Sequence, residues 1–306
     1  MAAPRVSVVI PVLNRREVIL GAIDSVLGQT YRDVEVIVVD DGSTDGTAAA
    51  VESARPGVRV LRLAENRGPA AARNAGTAIA RGELVMLLDS DDELLPDALA
   101  KHVSAIDAGP DVVMSCSRLG YAGAKRTNLP DAPPADDLGA LLVQLLDGRF
   151  PALLSSCVIR RAALEAVGGS DEALATTEDI DLFLRLAPLG RFTFLPERLT
   201  VRRLLPDRYS FKMPAGDVGW NAVLGKVLAS AHGDLVRPHV RRLRASRHVR
   251  LFDRLAGQGR WSDALAELRR GMALDALAPL RLPHVRRKLL RHGRKAVKAW
   301  ARGAWA

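Results

Sequence analysis

Cysteines, aromatic residues and long apolar runs are all scarce in this chain of 306 residues. Its two cysteines, Cys116 and Cys157, are too few for a disulfide framework, which predicts a reduced, cytoplasmic protein and not a small secreted scaffold. No apolar run approaches the roughly 20 residues that a membrane-spanning helix needs, so an integral membrane protein is not expected. Met1–Arg5 leads straight into a strand pattern and does not have the pattern of a signal peptide.

Acidic residues are also scarce in the last part of the chain. From Asp234 onward there are 19 Lys and Arg residues against 5 Asp and Glu, a net charge of +14. Residues 1–233 carry 25 basic against 30 acidic residues, a net charge of −5. A mildly acidic body with a strongly basic tail indicates an anionic partner, such as a membrane surface, nucleic acid or an anionic polymer.

Strand and helix patterns alternate along the first third of the chain. Four continuous β-branched or apolar runs are typical of buried parallel strands, and the segments between them have apolar residues at helical spacing. This alternation predicts right-handed βαβ units and therefore an α/β fold with a doubly wound sheet. The predicted strands are Val6–Val12, Val34–Val39, Val58–Leu63 and Leu84–Leu88, and the predicted helices are 18–27, Thr47–Ala54, with Ser43 or Thr44 as its cap, and Ala70–Ala80.

The later segments are shorter and end in a helical region. Helices are expected at Leu94–Asp107, Leu138–Leu146, Arg161–Val167, Ile180–Ala187, Pro214–His232, Val240–Leu255, Trp261–Leu274 and Val285–Trp300. Strands are expected at Asp111–Ser117, Leu153–Ile159, Phe192–Leu195 and Leu199–Arg203.

The fourth predicted strand ends in a crowd of carboxylates. Asp89, Asp91 and Asp92 follow one another closely, and like charges next to a buried strand are unfavourable unless something neutralises them. A divalent cation such as Mg²⁺ or Mn²⁺, which prefers oxygen ligands, would do so. The alternative is a solvated acidic turn in which Asp91 or Asp92 caps a helix that begins near Leu95.

Polar side chains follow other strands as well. Asn14 follows the first strand, and Asp40 and Asp41 follow the second. In doubly wound sheets, ligands bind beyond the carboxyl ends of the strands. These residues, together with Asp89 and Asp91, are therefore expected to form one shared site at a single edge of the sheet.

Six motifs occur in order along the first two thirds of the chain: Val8–Asn14, Val38–Asp45, Asn66–Gly76, Gly82–Asp92, Gly168–Gly169 and Glu178–Arg185. Taken together, they resemble family 2 glycosyltransferases of the GT-A fold. The resemblance covers roughly residues 5–205, and its specificity comes from the order and spacing of motifs that are each weak alone. The Gln-x-x-Arg-Trp motif of processive synthases is absent from the sequence, which favours a single transfer.

The resemblance implies inverting transfer from a nucleotide-sugar donor, with UDP- or dTDP-sugars favoured, in the presence of Mn²⁺ or Mg²⁺. The acceptor would be a hydroxyl of a glycan, a lipid-linked molecule or a small molecule. Asp179 matches the catalytic base, with Glu178 beside it, although an acidic pair is also favoured at a helix start by the helix dipole. The other matching positions are Pro11, Asn14, Asp40, Asp41, Arg67, Arg73, Asp89, Ser90 and Arg203 for the nucleotide sugar, and Asp89, Asp91 and Asp92 for the metal.

The sequence departs from the family pattern at one position. Many members place Arg-x-His after the strand that follows the base helix, and here Arg203 is kept while Leu205 takes the place of the histidine. Arg203 is still expected to pair with diphosphate oxygens. The sequence therefore does not determine which residue is the third protein ligand of the metal.

Other functions remain as alternatives. A catalytically inactive nucleotide-sugar-binding or scaffold protein would keep the fold and dock through its basic tail. A nucleotidyltransferase would have a Gly-rich basic loop after the first strand, and Pro11–Asn14 is not one. A haloacid-dehalogenase-like phosphatase would need an Asp-x-Asp-x-Thr spacing that Asp40–Thr44 does not have.

The resemblance and the charge distribution together give the expected domain organisation. Residues 1–213 would form the GT-A domain, with a nucleotide-sugar half at about 1–117 and an acceptor half at about 118–213, and residues 214–306 a basic helical extension. The segment 285–306 is expected to bind an anionic membrane, which would make the protein peripheral on the inner face. The alternatives are a solvated helix packed on the domain and nucleic-acid binding, and the latter is disfavoured because no recognised module accompanies the charge.

Overall fold

The computed structural model describes residues 3–122, 135–150, 153–203 and 218–278. The chain divides into two compact units, one of residues 1–145 with 149–212 and the other of residues 146–148 with 213–306. Leu205 and the predicted helix Val285–Trp300 lie outside the described residues. Within the described part, no helix is both long enough and apolar enough to cross a membrane.

The first unit is a mixed α/β structure built on one eight-stranded sheet. Its strands are β1 (Val6–Val12), β2 (Val34–Asp40), β3 (Arg59–Arg62), β4 (Leu84–Leu87), β5 (Asp92–Leu94), β6 (Val112–Tyr121), β7 (Cys157–Arg160) and β8 (Arg191–Arg202). Its helices are α1 (Ile19–Leu27), α2 (Thr47–Ala54), α3 (Pro69–Ala78), α4 (Ala98–Asp107), α5 (Leu138–Leu146), α6 (Arg161–Ala166) and α7 (Glu178–Leu186), with short 3₁₀ turns at Leu154–Ser156 and Ala187–Leu189.

The strand order of the sheet is β3-β2-β1-β4-β7-β6-β8-β5. The four strands predicted in the first third of the chain pair in parallel, and every residue of β1 and β4 is buried. Burial on both faces is why these strands are continuous apolar runs without alternation. Their carboxyl ends therefore lie together at one edge, as the sequence predicts.

The other half of the sheet is mixed in direction. Strand β7 pairs antiparallel with both β4 and β6, while β6 pairs in parallel with β8. Strand β5 pairs antiparallel with the end of β8, in a register that sets Asp92 opposite Arg202. This pairing brings the acidic stretch after β4 against a strand that is more than a hundred residues away in the sequence.

Several sequence-based expectations are wrong at this end of the sheet. The helix expected from Leu94 begins at Ala98, because the residues before it form β5, so neither Asp91 nor Asp92 caps it. The two strands expected after Gly190 are one strand, β8. Neither Ser43 nor Thr44 caps α2: the residue at its start is Gly46, in a left-handed conformation with φ of 80°.

The main core of the first unit lies between the sheet and its helices. It consists of the inward-facing residues of β1, β2 and β4 with the apolar faces of α1 and α4. Helix α3 approaches the sheet closely at Gly76, where a Cβ would lie 2.4 Å from Val9 Cγ1 and 2.8 Å from Val39 Cγ2. The Ala-rich sequence of α3 therefore reflects a helix that packs directly on the strands.

The described secondary structure of the second unit consists of helices joined by turns. Its helices are α8 (Val218–Ala229), α9 (Gly233–Val236), α10 (Val240–Gly257) and α11 (Trp261–Leu274), with a 3₁₀ turn at Arg237–His239. A small apolar core holds α10 and α11 together, and Val249, Phe252 and Ala264 in it are fully buried. The turn between these two helices contains Gly259, whose φ of 78° suits glycine.

Candidate functional site

The turn after β2 forms the first part of the site. The carboxylate of Asp41 accepts hydrogen bonds from the backbone N–H groups of Arg67, at 2.8 Å, and Gly68, at 2.9 Å. The neighbouring Asp40 is also buried and accepts a hydrogen bond from the Ser43 N–H at 2.8 Å. Burial raises the pKa of Asp41 more than the two backbone hydrogen bonds lower it. Both aspartates thus shape the loops at the carboxyl edge of the sheet.

Asn14 links the end of β1 to the same turn. Its φ of 51° places it in the left-handed region, which Asn tolerates better than most residues. The Asn14 N–H donates to Ser43 Oγ at 2.9 Å, and the Asn14 side chain accepts from the Thr44 N–H at 2.8 Å. Pro11 lies buried within β1, three residues before this turn. The first two polar strand ends are therefore hydrogen-bonded to each other.

Three carboxylates cluster after β4. Asp89, Asp91 and Asp92 each offer an oxygen within 4.8 Å of the others. The Asp89 side chain is 25% exposed, whereas that of Asp92 is completely buried. Ser90, between the first two aspartates, is buried as well. Carboxylate oxygens at this spacing suit a hard divalent cation such as Mg²⁺ or Mn²⁺, so the residues fit the metal that the sequence predicts.

Arg73, on α3, joins this cluster to the other end of the site. Its guanidinium donates to Asp89 Oδ1 at 2.9 Å and to Glu178 Oε1 at 3.0 Å, and its side chain is only 8% exposed. Burial on its own lowers the pKa of Arg73, but the charges of Asp89 and Glu178 raise it above its ordinary value. A single buried cation thus holds together two carboxylates that are 89 residues apart in the sequence.

Glu178 and Asp179 form the start of α7. The residue before them, Thr177, has a φ of 68°, a strained conformation for a β-branched residue. Burial raises the pKa of both carboxyl groups. The charge of Asp179 raises the pKa of Glu178 further. The Ile180 N–H donates to Asp179 Oδ1 at 2.8 Å and so lowers the pKa of Asp179, which offsets part of the effect of burial. A carboxylate with a raised pKa is a stronger base than an ordinary aspartate.

Sequence reasoning missed Arg202. This arginine donates to Asp89 Oδ2 at 3.0 Å and to Asp92 Oδ2 at 2.7 Å, with its side chain 12% exposed. Burial raises the pKa of Asp92, and the ion pair with Arg202 opposes that shift. The signal in the sequence was the pair Arg202-Arg203 at the end of a strand, but only the register of β5 on β8 shows which of the two faces Asp92.

Two of the predicted binding residues have other partners. Arg203 is exposed and its guanidinium pairs with Glu93, while its backbone N–H donates to the Asp91 carbonyl at 3.1 Å. The Arg67 side chain is 53% exposed and pairs with Glu172 at 2.9 Å. Neither guanidinium has an ion pair with the carboxylates of the central cluster among the described contacts.

The chain matches a known family in sequence. The profile of the family described as Glycosyl transferase family 2 matches residues 7–168. The succinoglycan biosynthesis protein ExoO of Rhizobium meliloti is 45% identical over 106 residues, which are 34% of this chain and 30% of ExoO. An uncharacterized glycosyltransferase of Rickettsia bellii is 42% identical over 213 residues, 69% of this chain and 30% of that protein. The chain thus spans less than a third of the length of these curated relatives.

Solved structures share the fold. Residues 1–349 of S. aureus TarS, in complex with UDP-GlcNAc, superpose with a TM-score of 0.68 at 20% identity, over 98% of this chain and 92% of that one. The mannosyltransferase PcManGT from Pyrobaculum calidifontis, in complex with GDP-Man and Mn²⁺, superposes with a TM-score of 0.61 at 23% identity, over 97% and 81% of the two chains. The eight-stranded sheet is therefore of the GT-A type.

Proposed function

Because the chain belongs to glycosyl transferase family 2 and is a glycosyltransferase, we propose that it transfers one sugar, with inversion, from a nucleoside-diphosphate sugar to an acceptor hydroxyl. UDP- and dTDP-sugars are the favoured donors, and the acceptor is a glycan, a lipid-linked molecule or a small molecule. The observation that carries the proposal is the bridge of Arg73 between Asp89 and Glu178, at 2.9 and 3.0 Å. It links carboxylates suited to a metal–diphosphate group to carboxylates suited to proton transfer.

The donor nucleotide is proposed to lie over the carboxyl ends of β1 and β2. Pro11, Asn14 and Asp41 surround that edge, and the loop that follows β3 is held there by the two backbone hydrogen bonds to Asp41. The bound UDP-GlcNAc and GDP-Man in the two structural relatives support a nucleotide sugar as the ligand class. Arg203 would approach the diphosphate after leaving Glu93.

The diphosphate end of the donor is proposed to lie at the cluster of Asp89 and Asp91. Mn²⁺ or Mg²⁺ bound there would offset the negative charge that develops on the leaving diphosphate. Arg73 and Arg202 keep the Asp89 carboxylate in a fixed orientation, because each of its oxygens accepts from one of them. The Asp89 carboxylate therefore does not have to reorient when the donor binds.

Asp179 is proposed to be the catalytic base. It would accept the proton of the acceptor hydroxyl while that oxygen attacks the anomeric carbon from the face opposite the leaving diphosphate. Its raised pKa strengthens it as a base, and the hydrogen bond from the Ile180 N–H holds its Oδ1 in place. Glu178, held by Arg73, would keep the start of α7 in place during the transfer.

Release of nucleoside diphosphate tests this function without knowledge of the acceptor. Purified protein with Mn²⁺ is incubated with a panel of UDP-, dTDP- and GDP-sugars. The slow hydrolysis of each donor, in which water takes the place of the acceptor, is measured. We expect turnover with one donor class, and losses of at least about 100-fold in Asp91→Asn and Asp179→Asn. Asp111→Asn, which changes an exposed carboxylate paired with Arg191 at the other edge of the sheet, is the matched control.

Two results would contradict the proposal in different ways. Binding of nucleoside diphosphate, seen as a rise in the melting temperature, without any turnover would indicate an inactive nucleotide-sugar-binding protein. If the protein neither binds nor turns over any of these donors, a transferase that uses them is excluded.

We also propose the domain boundaries predicted from the sequence, with catalysis in residues 1–213 and a separate basic extension in residues 214–306. The net charge of +14 from Asp234 onward supports an anionic membrane surface as the partner of the extension, through residues 285–306. A lipid-linked acceptor would be presented at such a surface.

A further inference from the structure

The side chain of Asn74, on α3, holds the loop that precedes α7. Its Oδ1 accepts from the Ser170 N–H at 2.8 Å, and its Nδ2 donates to the Ser170 carbonyl at 2.8 Å and to Glu172 Oε1 at 3.0 Å. Gly169 lies directly against this amide: its φ is 71°, and a Cβ there would be 2.5 Å from Asn74 Oδ1. The loop therefore needs a side chain that both donates and accepts at position 74, which a carboxylate cannot do.

Glu172 extends these contacts to the donor edge of the sheet. Its Oε2 accepts from the Arg67 guanidinium at 2.9 Å, and the Arg67 N–H donates to Asp41 at 2.8 Å. The side chains of Glu172 and Arg67 are 41% and 53% exposed, and an ion pair so exposed contributes little to stability. What the pair adds is a fixed geometry between the loop after β3 and the loop before α7.

Helix α3 holds this segment at both of its ends. Asn74 binds it at Ser170, and the preceding residue, Arg73, donates to Glu178 at the start of α7 at 3.0 Å. Asp179 comes directly after the second of these contacts. Because α3 itself packs closely on the sheet, the segment that leads to Asp179 is fixed to the rigid part of the fold.

We infer that Asn74 and Glu172 are positioning residues, which hold the loop before α7 so that Asp179 is aligned with the acceptor hydroxyl and the donor. This inference rests on the role of Asp179 in the proposed function. A misplacement of a catalytic group by about 1 Å can cost about 100-fold in rate, so a few hydrogen bonds are enough to matter for turnover. Through Arg67, the same contacts connect the position of the base to the donor edge of the sheet.

An exchange of amide and carboxylate tests the inference. Asn74→Asp keeps the size of the side chain but sets a carboxylate against Glu172 and the Ser170 carbonyl. Asn74→Asp/Glu172→Gln has the net charge of the wild type and restores one hydrogen bond in the opposite direction, because the new glutamine can donate to the new aspartate. Glu165→Gln, which changes an exposed acid paired with Arg161 on α6, is the matched control.

Two quantities are measured for each variant at a temperature where thermal melts show it to be folded. These are the kcat of donor hydrolysis and the Kd of UDP, both with Mn²⁺. We expect Asn74→Asp to lower kcat at least about tenfold with the Kd of UDP within about threefold of the wild type. The double variant should recover at least about threefold of that loss in kcat, and Glu165→Gln should leave both quantities unchanged.

Glu172→Ala is a second variant, at an exposed position where the fold tolerates the change. It removes the contacts with both Asn74 and Arg67, and its kcat is expected to fall at least about threefold with the same unchanged Kd of UDP.

Three results would contradict these expectations. A kcat within about twofold of the wild type in both Asn74→Asp and Glu172→Ala would overturn the inference and leave the proposed function intact. A rise in the Kd of UDP as large as the loss in kcat would also overturn it, because the two residues would then act on donor binding. If the wild type turns over no donor, the proposed function itself fails.

Discussion

Arg73 is the residue on which the geometry of the site depends most directly. It is buried, and its separate contacts with Asp89 and Glu178 need two donors at the ends of a planar fork. The sequence places Arg73 in a motif, but its partners lie on other elements. A substitution of Arg73 is therefore expected to disturb the site if it changes the shape of the side chain, even when the charge is kept.

Arg73→Lys is therefore expected to lower nucleoside diphosphate release by about 100-fold, because a single ammonium cannot reach both carboxylates in the same geometry. Chemical denaturation should also show a loss of about 1–3 kcal/mol, because one buried carboxylate loses its partner. Arg55→Lys, in an exposed pair with Asp24, is the control and should change stability by less than about 1 kcal/mol. Full activity in Arg73→Lys would contradict the bridging role.

Glu35 is a second buried charge, away from the site. Burial on its own would raise its pKa, but hydrogen bonds from Ser7, from the backbone and side chain of Arg81, and from Arg59 lower it to about 2 from 4.5. A carboxyl group whose pKa is depressed in the folded state stabilises that state above the unfolded pKa and loses this contribution as the pH falls toward the folded pKa. The pH window for Glu35 is therefore about 4.5 to 2.

Glu35→Gln should lower the free energy of unfolding at pH 7 by up to about 3 kcal/mol, and its difference from the wild type should shrink as the pH falls from 4.5 toward 2. Urea unfolding at pH 7, 4 and 3 measures this difference. Glu52→Gln, in an exposed pair with Arg62, should have little effect at any pH. A difference that does not change with pH would show that the charge of Glu35 is not what stabilises the fold.

At the scale of elements, the strand β5 determines which side chains meet at the site, although it is only three residues long. Its sequence, Asp-Glu-Leu, has no strand propensity, and sequence reasoning assigned it to a helix or its cap. Pairing with β8 overrides that preference, because the Asp92–Arg202 ion pair and the ladder hydrogen bonds form together. Short strands that depend on a distant partner are not visible in local periodicity.

Helix α3 provides a test of close packing between elements. Gly76→Ala should destabilise the protein by about 1–3 kcal/mol, because the added Cβ would overlap Val9 and Val39 on the sheet. Gly225→Ala, in the helix α8, is the matched control: nothing lies within 4 Å of its Cβ position, so the higher helix propensity of alanine should stabilise that helix by up to about 1 kcal/mol. Thermal melts of both variants measure the contrast, and equal shifts would contradict it.

At the scale of the whole molecule, charge is segregated along the chain. The body up to residue 233 has a net charge of −5 and the remainder +14, so the two regions differ in the partners that they attract. The described part of the second unit has its own apolar core between α10 and α11. Charge of this kind acts at a distance and is screened by salt.

Deletion of Val285–Ala306 is expected to reduce sedimentation with vesicles containing anionic lipid, because this segment carries eight basic and no acidic residues. Binding of the full chain should fall as the salt concentration rises and should be absent with neutral vesicles. Nucleoside diphosphate release, measured on the same preparations, serves as the control for folding. If the truncated protein sediments with the vesicles as the full chain does, residues 285–306 are not the membrane-binding segment.

Local patterns in the sequence determined the first four strands, several helix bounds, the shared edge of the sheet and the family. Val6–Val12, Thr47–Ala54 and Trp261–Leu274 were predicted to the residue, because periodicity and composition act over neighbouring residues. The edge itself followed from the rule that parallel strands present their carboxyl ends together.

Tertiary structure alone decided how the charges at that edge are paired. Arg73 links Asp89 to Glu178, and Arg202 selects Asp92, across separations of 105 and 110 residues. Strand register and the energetic cost of an unpaired buried charge determine these partners. Neither of them produces a periodic pattern in the sequence. The sequence thus determines which carboxylates reach the edge, and the fold decides which arginines hold Asp89, Asp92 and Glu178 there.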